Sequence, residues 1–267
     1  MFLKTCGGFL LLVWVTAVSA QSDNSAYMEA GAVLVGQASA DYRGSKHYQP
    51  YALPLPYFIY QGPILKADKD GVRGEFWANH RFEFNASVDG SLNGNSDNNT
   101  LREGMPELDS AVEVGPSLNM KLTGETFSEG WSLRFPLRAV FTISRSGFDY
   151  IGYLFNPRLN WRKSEVIGDW RLSFNTGILY ADKQFHRYYY DVKNEYVTDD
   201  RPYYRAQAGY SGAFGKFSIY RAMEKWRVGV SFRYDYLGGV KFIDSPLVET
   251  KHYGSVSVGV VRTFWAN

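Results

Sequence analysis

The sequence contains one uninterrupted alternation of polar and apolar side chains, Arg81-Phe82-Glu83-Phe84-Asn85-Ala86-Ser87-Val88-Asp89. In an extended strand successive side chains point to opposite faces, so Phe82, Phe84, Ala86 and Val88 share one face and the polar residues share the other. This period of two predicts a long β-strand with one apolar face and one polar face.

The same alternation recurs in three other segments of the chain. Its apolar members are Trp226, Val228, Val230, Phe232, Tyr234 and Tyr236 in one segment, Leu133, Phe135, Leu137, Ala139, Phe141 and Ile143 in another, and Val114, Leu118, Met120 and Leu122 in the third. Long strands of this kind, in a chain that begins with an export signal, are typical of outer-membrane proteins. We therefore predict an all-β fold, an antiparallel up-and-down transmembrane β-barrel.

The first twenty residues have the parts of a secretory signal: a basic residue, an apolar run and small residues at a cleavage site. These are Lys4, the run from Gly7 to Val18, and Val18-Ser19-Ala20. We expect cleavage near Ala20, which gives a signal peptide at 1–20 and a barrel domain at 21–267. Because Cys6 is the single cysteine and lies inside the signal, a disulfide framework and a cysteine metal site are excluded for the mature chain.

The composition narrows the class of protein further. The formal net charge is +2, or +1 without Lys4, which gives no reason to expect a nucleic-acid partner. No segment after the signal reaches the roughly 18 apolar residues of a transmembrane helix. Aromatic residues make up 17% of the chain, and in a barrel they would form girdles at the membrane interfaces. A soluble β-sandwich with an aromatic core is the alternative.

Ten strands fit the pattern, or twelve if the glycine-containing segment 203–222 is two strands rather than one bulged strand. The predicted ranges are 27–37, 53–66, 72–90, 111–122, 131–144, 150–162, 169–181, 203–222, 226–237 and 252–264. Short connections at 68–71, 123–130, 163–168 and 223–225 alternate with connections at 38–52, 91–110, 145–149, 182–202 and 238–251, of which only 145–149 is short. The alternation predicts periplasmic turns and external loops, with both chain ends in the periplasm.

The polar faces of these strands carry charges that would point into a narrow lumen. The inward set includes Arg81, Glu83, Asn85, Asp89, Arg134, Arg138, Arg171, Asn175, Arg227, Arg233 and Asp235. These residues could line a polar pore, or they could pair with one another and fill the lumen. We favour pairing, because buried opposite charges normally find partners. On the last strand Arg262 interrupts the apolar face of Val256, Val258, Val260 and Phe264.

Several short motifs, taken in their order and spacing, resemble those of the MipA/OmpV family of Gram-negative outer-membrane proteins. They are Asp41-Tyr42-Arg43-Gly44-Ser45, Leu53-Pro54-Leu55-Pro56-Tyr57-Phe58, Ala67-Asp68-Lys69-Asp70-Gly71-Val72-Arg73-Gly74, Gly90-Ser91-Leu92, Arg102-Glu103-Gly104-Met105-Pro106-Glu107-Leu108-Asp109, Glu113-Val114-Gly115-Pro116, Arg233-Tyr234-Asp235-Tyr236-Leu237 and Asp244-Ser245-Pro246-Leu247-Val248. The resemblance implies a barrel in the cell outer membrane. It also implies a scaffold, since the family is named after a member that holds a lytic transglycosylase and a murein synthase in one complex. Other members are described as porin-like, adhesive or antigenic.

The long external loops supply the candidate interaction residues. The loops around Phe185–Tyr190 and Arg201–Tyr204 are dense in aromatic and cationic side chains, which favour the recognition of sugars, lipid headgroups or proteins. The alternative is an interfacial girdle in which Arg187 and Arg201 meet lipopolysaccharide phosphates. The candidate residues in the loops are Arg43, His186, Arg187, Tyr188, Arg201, Asp244 and Ser245.

The sequence predicts no catalytic, metal or cofactor site. His47, His80, His186 and His252 are scattered rather than spaced as metal ligands. A triad of Ser245, His252 and Asp244 or Glu249 lacks the spacing that orients a base. Asp68-Lys69-Asp70-Gly71 lacks the further ligands of a calcium loop and predicts a tight hairpin turn.

The predicted function is therefore structural or scaffolding, with a small porin or a surface adhesin as the alternative. The short periplasmic turns leave a scaffold little surface for partners.

Overall fold

The computed structural model describes residues 27–61, 65–68, 71–91, 99–144 and 147–267. The predicted signal peptide at 1–20, the N-terminal stretch from Gln21 and the middle of the 68–71 turn lie outside these residues. None of the helices in the described ranges is long and apolar enough to cross a membrane.

The described residues form thirteen strands in one sheet. They are β1 (Tyr27–Ala40), β2 (Tyr48–Gln61), β3 (Leu65–Asp68), β4 (Gly71–Ala78), β5 (Phe82–Ser91), β6 (Ser110–Lys121), β7 (Gly130–Ser144), β8 (Gly147–Phe155), β9 (Arg158–Lys163), β10 (Trp170–Ala181), β11 (Gly209–Ala222), β12 (Trp226–Tyr236) and β13 (His252–Ala266). The α-helix of the described chain is α1 (Lys183–Tyr190), and short 3₁₀ turns occur at Thr100–Arg102 and Asn194–Tyr196.

The strands pair antiparallel in chain order, and the pairing returns to its start through β13 with β1 and β10 with β11. The ladder is therefore a closed ring, and the predicted antiparallel barrel is confirmed. Strands β8 and β9 both lie between β7 and β10, so they share one position. Thirteen strands thus occupy twelve positions, which is the alternative count rather than the favoured count of ten.

The two additional positions come from the segment 53–90, and not from 203–222 as the alternative supposed. The predicted strand 72–90 is divided at Asn79, whose Oδ1 accepts hydrogen bonds from the backbone N–H groups of Arg81 at 2.8 Å and Phe82 at 2.7 Å. A side chain that bonds to the backbone two residues on replaces the ladder with a turn. The strand directions then place the connection from Asp68 to Gly71 at the same end of the barrel as the long loops. Its predicted grouping with the periplasmic turns is therefore wrong.

The glycine-containing segment is a single bulged strand that begins at Gly209. The pairing of β10 with β11 shifts between Leu179 and Tyr180, which leaves Ser211 out of register. Gly209 and Gly212 flank the bulge with positive φ angles of 136° and 112°, a backbone conformation that glycine adopts without a Cβ clash.

The two faces of the barrel wall follow the predicted alternation. Phe84, Leu118 and Phe135 lie side by side on β5, β6 and β7 and are 40%, 44% and 39% exposed. One residue along, Asn85 and Ser117 also pair, and both are buried. The apolar face therefore points outward and the polar face points into the barrel.

The barrel has two different ends. The connections 41–47, 182–208 and 237–251 and the described residues 99–109 lie at one end, which we call the loop end. The turns 122–129, 164–169 and 223–225 lie at the other, together with the beginning of β1 and the end of β13, and we call this the terminus end.

Candidate functional site at the loop end

Four loops at the loop end fold into one compact unit, which we call the loop cap: residues 41–47, 99–109, 182–208 and 237–251. The loops meet in a hydrophobic core made mostly of aromatic and aliphatic side chains. Its buried members from the loops are Tyr42, Leu108, Tyr189, Tyr190, Val192, Ala206, Leu237, Val240, Phe242 and Leu247. The long loops are therefore packed against one another.

Helix α1 enters the loop cap through a capped N-terminus. Asp182 is the N-cap, and its side chain accepts a hydrogen bond from the backbone N–H of Phe185 at 2.9 Å. The helix begins against Gly152 of β8, where an added Cβ would lie 2.2 Å from Asp182 Oδ1. Gly152 also has a φ of 127°. The position therefore requires glycine, both for its backbone conformation and for the close approach of the helix.

An aromatic stack holds the helix in the loop cap. The rings of Tyr190 and Phe242 lie 3.7 Å apart and nearly parallel, and the His186 ring meets Phe242 edge-on at 4.9 Å. His186 is fully buried, and its Nδ1 lies 2.5 Å from the carbonyl oxygen of Gln207. Burial lowers the pKa of His186, so the neutral ring donates from Nδ1. Its buried Nε2 has no hydrogen-bond partner among the described residues.

An ion triad joins the loop cap to the barrel wall. Arg43 Nε lies 3.0 Å from Asp235 Oδ1, and Arg233 Nε lies 2.7 Å from Asp235 Oδ2. Arg43 also donates to the carbonyl oxygen of Ser211 at 2.6 Å, the residue that the β11 bulge leaves out of register. Asp235 is fully buried, and each of its oxygens faces a guanidinium. The buried charge is therefore paired on both sides.

Two further arginines fasten the loops through backbone carbonyls. Arg201 is 7% exposed and donates to the carbonyl oxygens of Leu101, Glu103 and Tyr196 at 2.7, 3.0 and 2.8 Å. Arg102 is 5% exposed and donates to the carbonyl oxygens of Tyr189 and Pro106. Because Arg201 is buried, the suggestion that it meets lipopolysaccharide phosphates is wrong.

The remaining candidate residues also lie in the loop cap. Tyr188 Oη accepts from the backbone N–H of Asp109 at 2.8 Å, and Ser245 Oγ donates to the carbonyl oxygen of Tyr190 at 2.8 Å. Arg187 is half-buried, with Nε 3.4 Å from the Ala206 carbonyl oxygen, and Asp244 is exposed. The structure thus brings all seven candidates together at one end. Most of their polar groups are used within the chain, and their role in binding a partner stays a prediction.

The serine, histidine and acidic residues considered above as a catalytic triad are not brought together in the structure. Ser245 Oγ is bonded to the Tyr190 carbonyl, whereas His252 Nδ1 lies 2.6 Å from Tyr234 Oη. In the described part of the chain, no group of three histidine, cysteine or acidic residues is placed to hold a metal ion.

Several charges on the inner face of the barrel pair with one another, as predicted. Arg138 Nη1 lies 3.3 Å from Glu113 Oε2, and Arg227 binds Glu29 with both of its terminal nitrogens. Glu83 accepts from the side-chain amide of Asn119 at 3.1 Å. These contacts place ion pairs and polar clusters within the lumen, at several heights along the wall.

At the terminus end, two of the turns are linked to each other. Glu129 Oε1 accepts a hydrogen bond from the backbone N–H of Ser164 at 3.0 Å, which ties the turn 122–129 to the turn 164–169. At the tip of the second turn Ile167 is 77% exposed and Val166 is 37% exposed. No spacing in the sequence indicates this link, because it joins two connections across a strand pair.

The family comparison covers nearly all of the barrel. A search of curated proteins found no significant match. The family model described as MltA-interacting protein MipA matches residues 31–264, from early in β1 to near the end of β13. With the closed antiparallel ring and the folded loop cap lying inside this match, the chain belongs to the MipA family.

Proposed function

We propose that this protein is a non-catalytic scaffold of the outer membrane that binds an MltA-type lytic transglycosylase at its terminus end and brings it close to a murein synthase. The observation that carries the proposal is the match of the MltA-interacting protein family across residues 31–264. A scaffold acts by proximity, because tethering two enzymes raises the effective concentration of each for the other. No chemistry by the scaffold itself is required.

The outward face of the barrel supports a membrane location. Large apolar side chains stand exposed around the ring, among them Leu34, Phe148, Phe217 and Phe232, which are 40% to 60% exposed. A soluble protein rarely leaves so much apolar surface uncovered, whereas a membrane β-barrel requires it. The predicted export signal at 1–20 directs the chain to the cell envelope.

The strand directions support an orientation. An exported barrel begins and ends in the periplasm, so the terminus end faces the murein layer and the loop cap faces outward. Lytic transglycosylases and murein synthases act on that layer. The terminus end is therefore the side where such partners meet the protein.

The linked turns 122–129 and 164–169 are the surface that we assign to the partner. Glu129 holds the two turns together, and Ile167 presents an apolar tip to solvent. Such a tip, surrounded by polar turn residues, has the composition of an interface centre with a polar rim. The area is small beside the ~800 Å² per partner of a standard interface, so we expect a weak contact that the membrane location supports.

Crosslinking in intact envelopes tests the proposal. The protein is purified under detergent after crosslinking, and the proteins that remain attached are identified. Wild type should recover a lytic transglycosylase or a murein synthase, and replacement of the turns 122–129 and 164–169 should remove it. Recovery of the barrel alone from wild-type envelopes would overturn the scaffold. Val197→Ser serves as the control, because Val197 is 44% exposed in the loop cap, at the opposite end.

A surface adhesin is the second candidate, and one feature of the loop cap favours it. A shallow depression of about 260 Å³ is lined by residues of 191–194 and 203–205. It presents the exposed ring of Tyr203 beside Lys193 and Arg205. Aromatic rings with neighbouring cations suit sugars and acidic polymers. Attachment of cells that carry Tyr203→Ala, compared with wild type, tests this function; unchanged attachment would exclude this surface.

The paired luminal charges and the anchored loop cap argue against the porin alternative.

A further inference from the structure

The outward apolar face of β13 contains one basic residue, Arg262. Val256, Val258 and Phe264 on the same face are 40%, 46% and 67% exposed. A guanidinium on a lipid-facing surface is unfavourable unless it meets a counter-charge or reaches the interface. Arg262 is therefore stable on this face only if it meets a counter-charge or lies at the membrane interface.

Two aromatic rings hold the Arg262 side chain in place. Its guanidinium carbon lies 5.3 Å from the ring centroid of Trp226 and 5.7 Å from that of Phe264. Trp226 is the direct cross-strand neighbour of Arg262 in the pairing of β12 with β13. Stacked rings restrict the planar group and leave its N–H edge free to bind an acceptor.

The described part of the chain provides no carboxylate partner for Arg262. No acidic side chain of these residues forms an ion pair with it, and the nearby Glu29 faces inward and is bound to Arg227. Arg221 differs: it lies on the outward face of β11 near the same end, and its guanidinium is 3.2 Å from Asp169. The two arginines thus share a face and an end of the barrel, and only Arg221 has an acid beside it.

The height of Arg262 on the wall indicates the chemistry of its ligand. Trp226 begins β12, and Arg262 lies four residues before Ala266, where β13 ends. In the proposed orientation this height is the interface of the inner leaflet, where phospholipid phosphates lie. The inference rests on the proposed membrane location.

We infer that Arg262, with Trp226 and Phe264, forms a binding site for the phosphate of an anionic phospholipid of the inner leaflet. The guanidinium donates two parallel hydrogen bonds to the phosphate diester, and the two rings contact the glycerol and the first methylenes of the acyl chains. The site would fix one lipid at the seam between β12 and β13.

Native mass spectrometry of the detergent-purified full chain with phosphatidylglycerol tests the site. Wild type should retain one lipid with roughly tenfold higher affinity than Arg262→Gln, the loss of about 1.4 kcal/mol that a charged hydrogen-bonded contact provides. Arg221→Gln should bind as wild type does. Equal retention by Arg262→Gln would overturn the inference.

Two measurements on wild type keep the test independent of how the variant folds. Diacylglycerol, which lacks the phosphate, should not be retained, and equal retention would show that the headgroup is not recognised. Excess inorganic phosphate should not displace the lipid; displacement would identify a free-anion site instead of a lipid site. Neither result depends on a lytic transglycosylase, so failure here is distinguishable from failure of the scaffold.

Discussion

Arg43 in the loop 41–47 and Asp235 near the end of β12 form an ion pair, with Nε and Oδ1 3.0 Å apart. The pair joins a loop near the start of the chain to the inner wall of the barrel near the end of the chain. Asp235 also binds Arg233, so a single buried carboxylate is shared by one guanidinium from the loop cap and one from the wall. The loop cap is therefore anchored electrostatically as well as by its aromatic core.

Replacement of that carboxylate should loosen the loop cap. Asp235→Asn leaves two guanidinium groups without their counter-charge, and we expect a loss of about 3 kcal/mol, the low end for a broken buried pair, since both arginines keep some contact with solvent. Urea titration of the detergent-folded protein measures the free energy of unfolding. Asp244→Asn is the matched control, because Asp244 is exposed in the same unit. Equal stability of the two variants would contradict the anchoring role of Asp235.

Removal of the aromatic stack should lower the free energy of unfolding by as much as Asp235→Asn does, or by more. Phe242 is fully buried and lies 3.7 Å from Tyr190, so Phe242→Ala should lower the free energy of unfolding by about 3–5 kcal/mol. Tyr203→Ala, at a ring that is 53% exposed, should change it little. The account of a packed loop cap fails if both variants unfold at the urea concentration of wild type.

Acidification should destabilise the loop cap through His186. Burial lowers the pKa of His186 below its ordinary value of 6.5, so the unfolded chain takes up a proton before the folded chain does. Stability is therefore fully present above about pH 6.5 and declines as the pH falls below it. We expect proteolysis within 182–208 to accelerate between about pH 7 and pH 5 in wild type. His186→Phe should reduce this acceleration, and an unchanged pH profile in that variant would assign the effect to other groups.

Two glycines with similar φ angles allow the cost of backbone strain to be distinguished from the cost of a steric clash. Gly152 has a φ of 127° and Gly147 has a φ of 130°. An added Cβ would meet Asp182 at Gly152, whereas at Gly147 it would have no atom of the described residues within 4 Å. Gly152→Ala should therefore lose roughly 1–3 kcal/mol more than Gly147→Ala, the usual cost of overpacking. Hydrogen exchange of the α1 amides should rise only for Gly152→Ala. Equal exchange in both variants would show that helix seating does not depend on Gly152.

The alternation of side chains predicts the barrel wall because it depends on neighbours along one strand. Phe84 points outward and Asn85 points into the barrel, as predicted, because the direction of each side chain follows from backbone geometry alone. The strand count was less predictable. The side chain of Asn79 forms hydrogen bonds with the backbone of Arg81 and Phe82, and no glycine or proline between Glu75 and Arg81 marks this turn in the sequence.

The loop cap could not be predicted in the same way. Tyr42 donates to the carbonyl oxygen of Leu247, and Tyr190 donates to that of Arg43; both contacts join loops that are far apart in sequence. A composition rich in aromatic and basic residues suits an exposed binding surface as well as a packed core. Only the closure of the ring, which brings the loops to one end, decides between these alternatives.

Site-specific photocrosslinking in living cells tests the scaffold most directly. A photoreactive amino acid is placed at Ile167 on the terminus end, or at Val197 in the loop cap as the control; these side chains are 77% and 44% exposed. The account predicts a crosslinked product with an MltA-type lytic transglycosylase from position 167 and none from position 197. A product from position 197 alone, or from neither position while the barrel is correctly inserted, would contradict it.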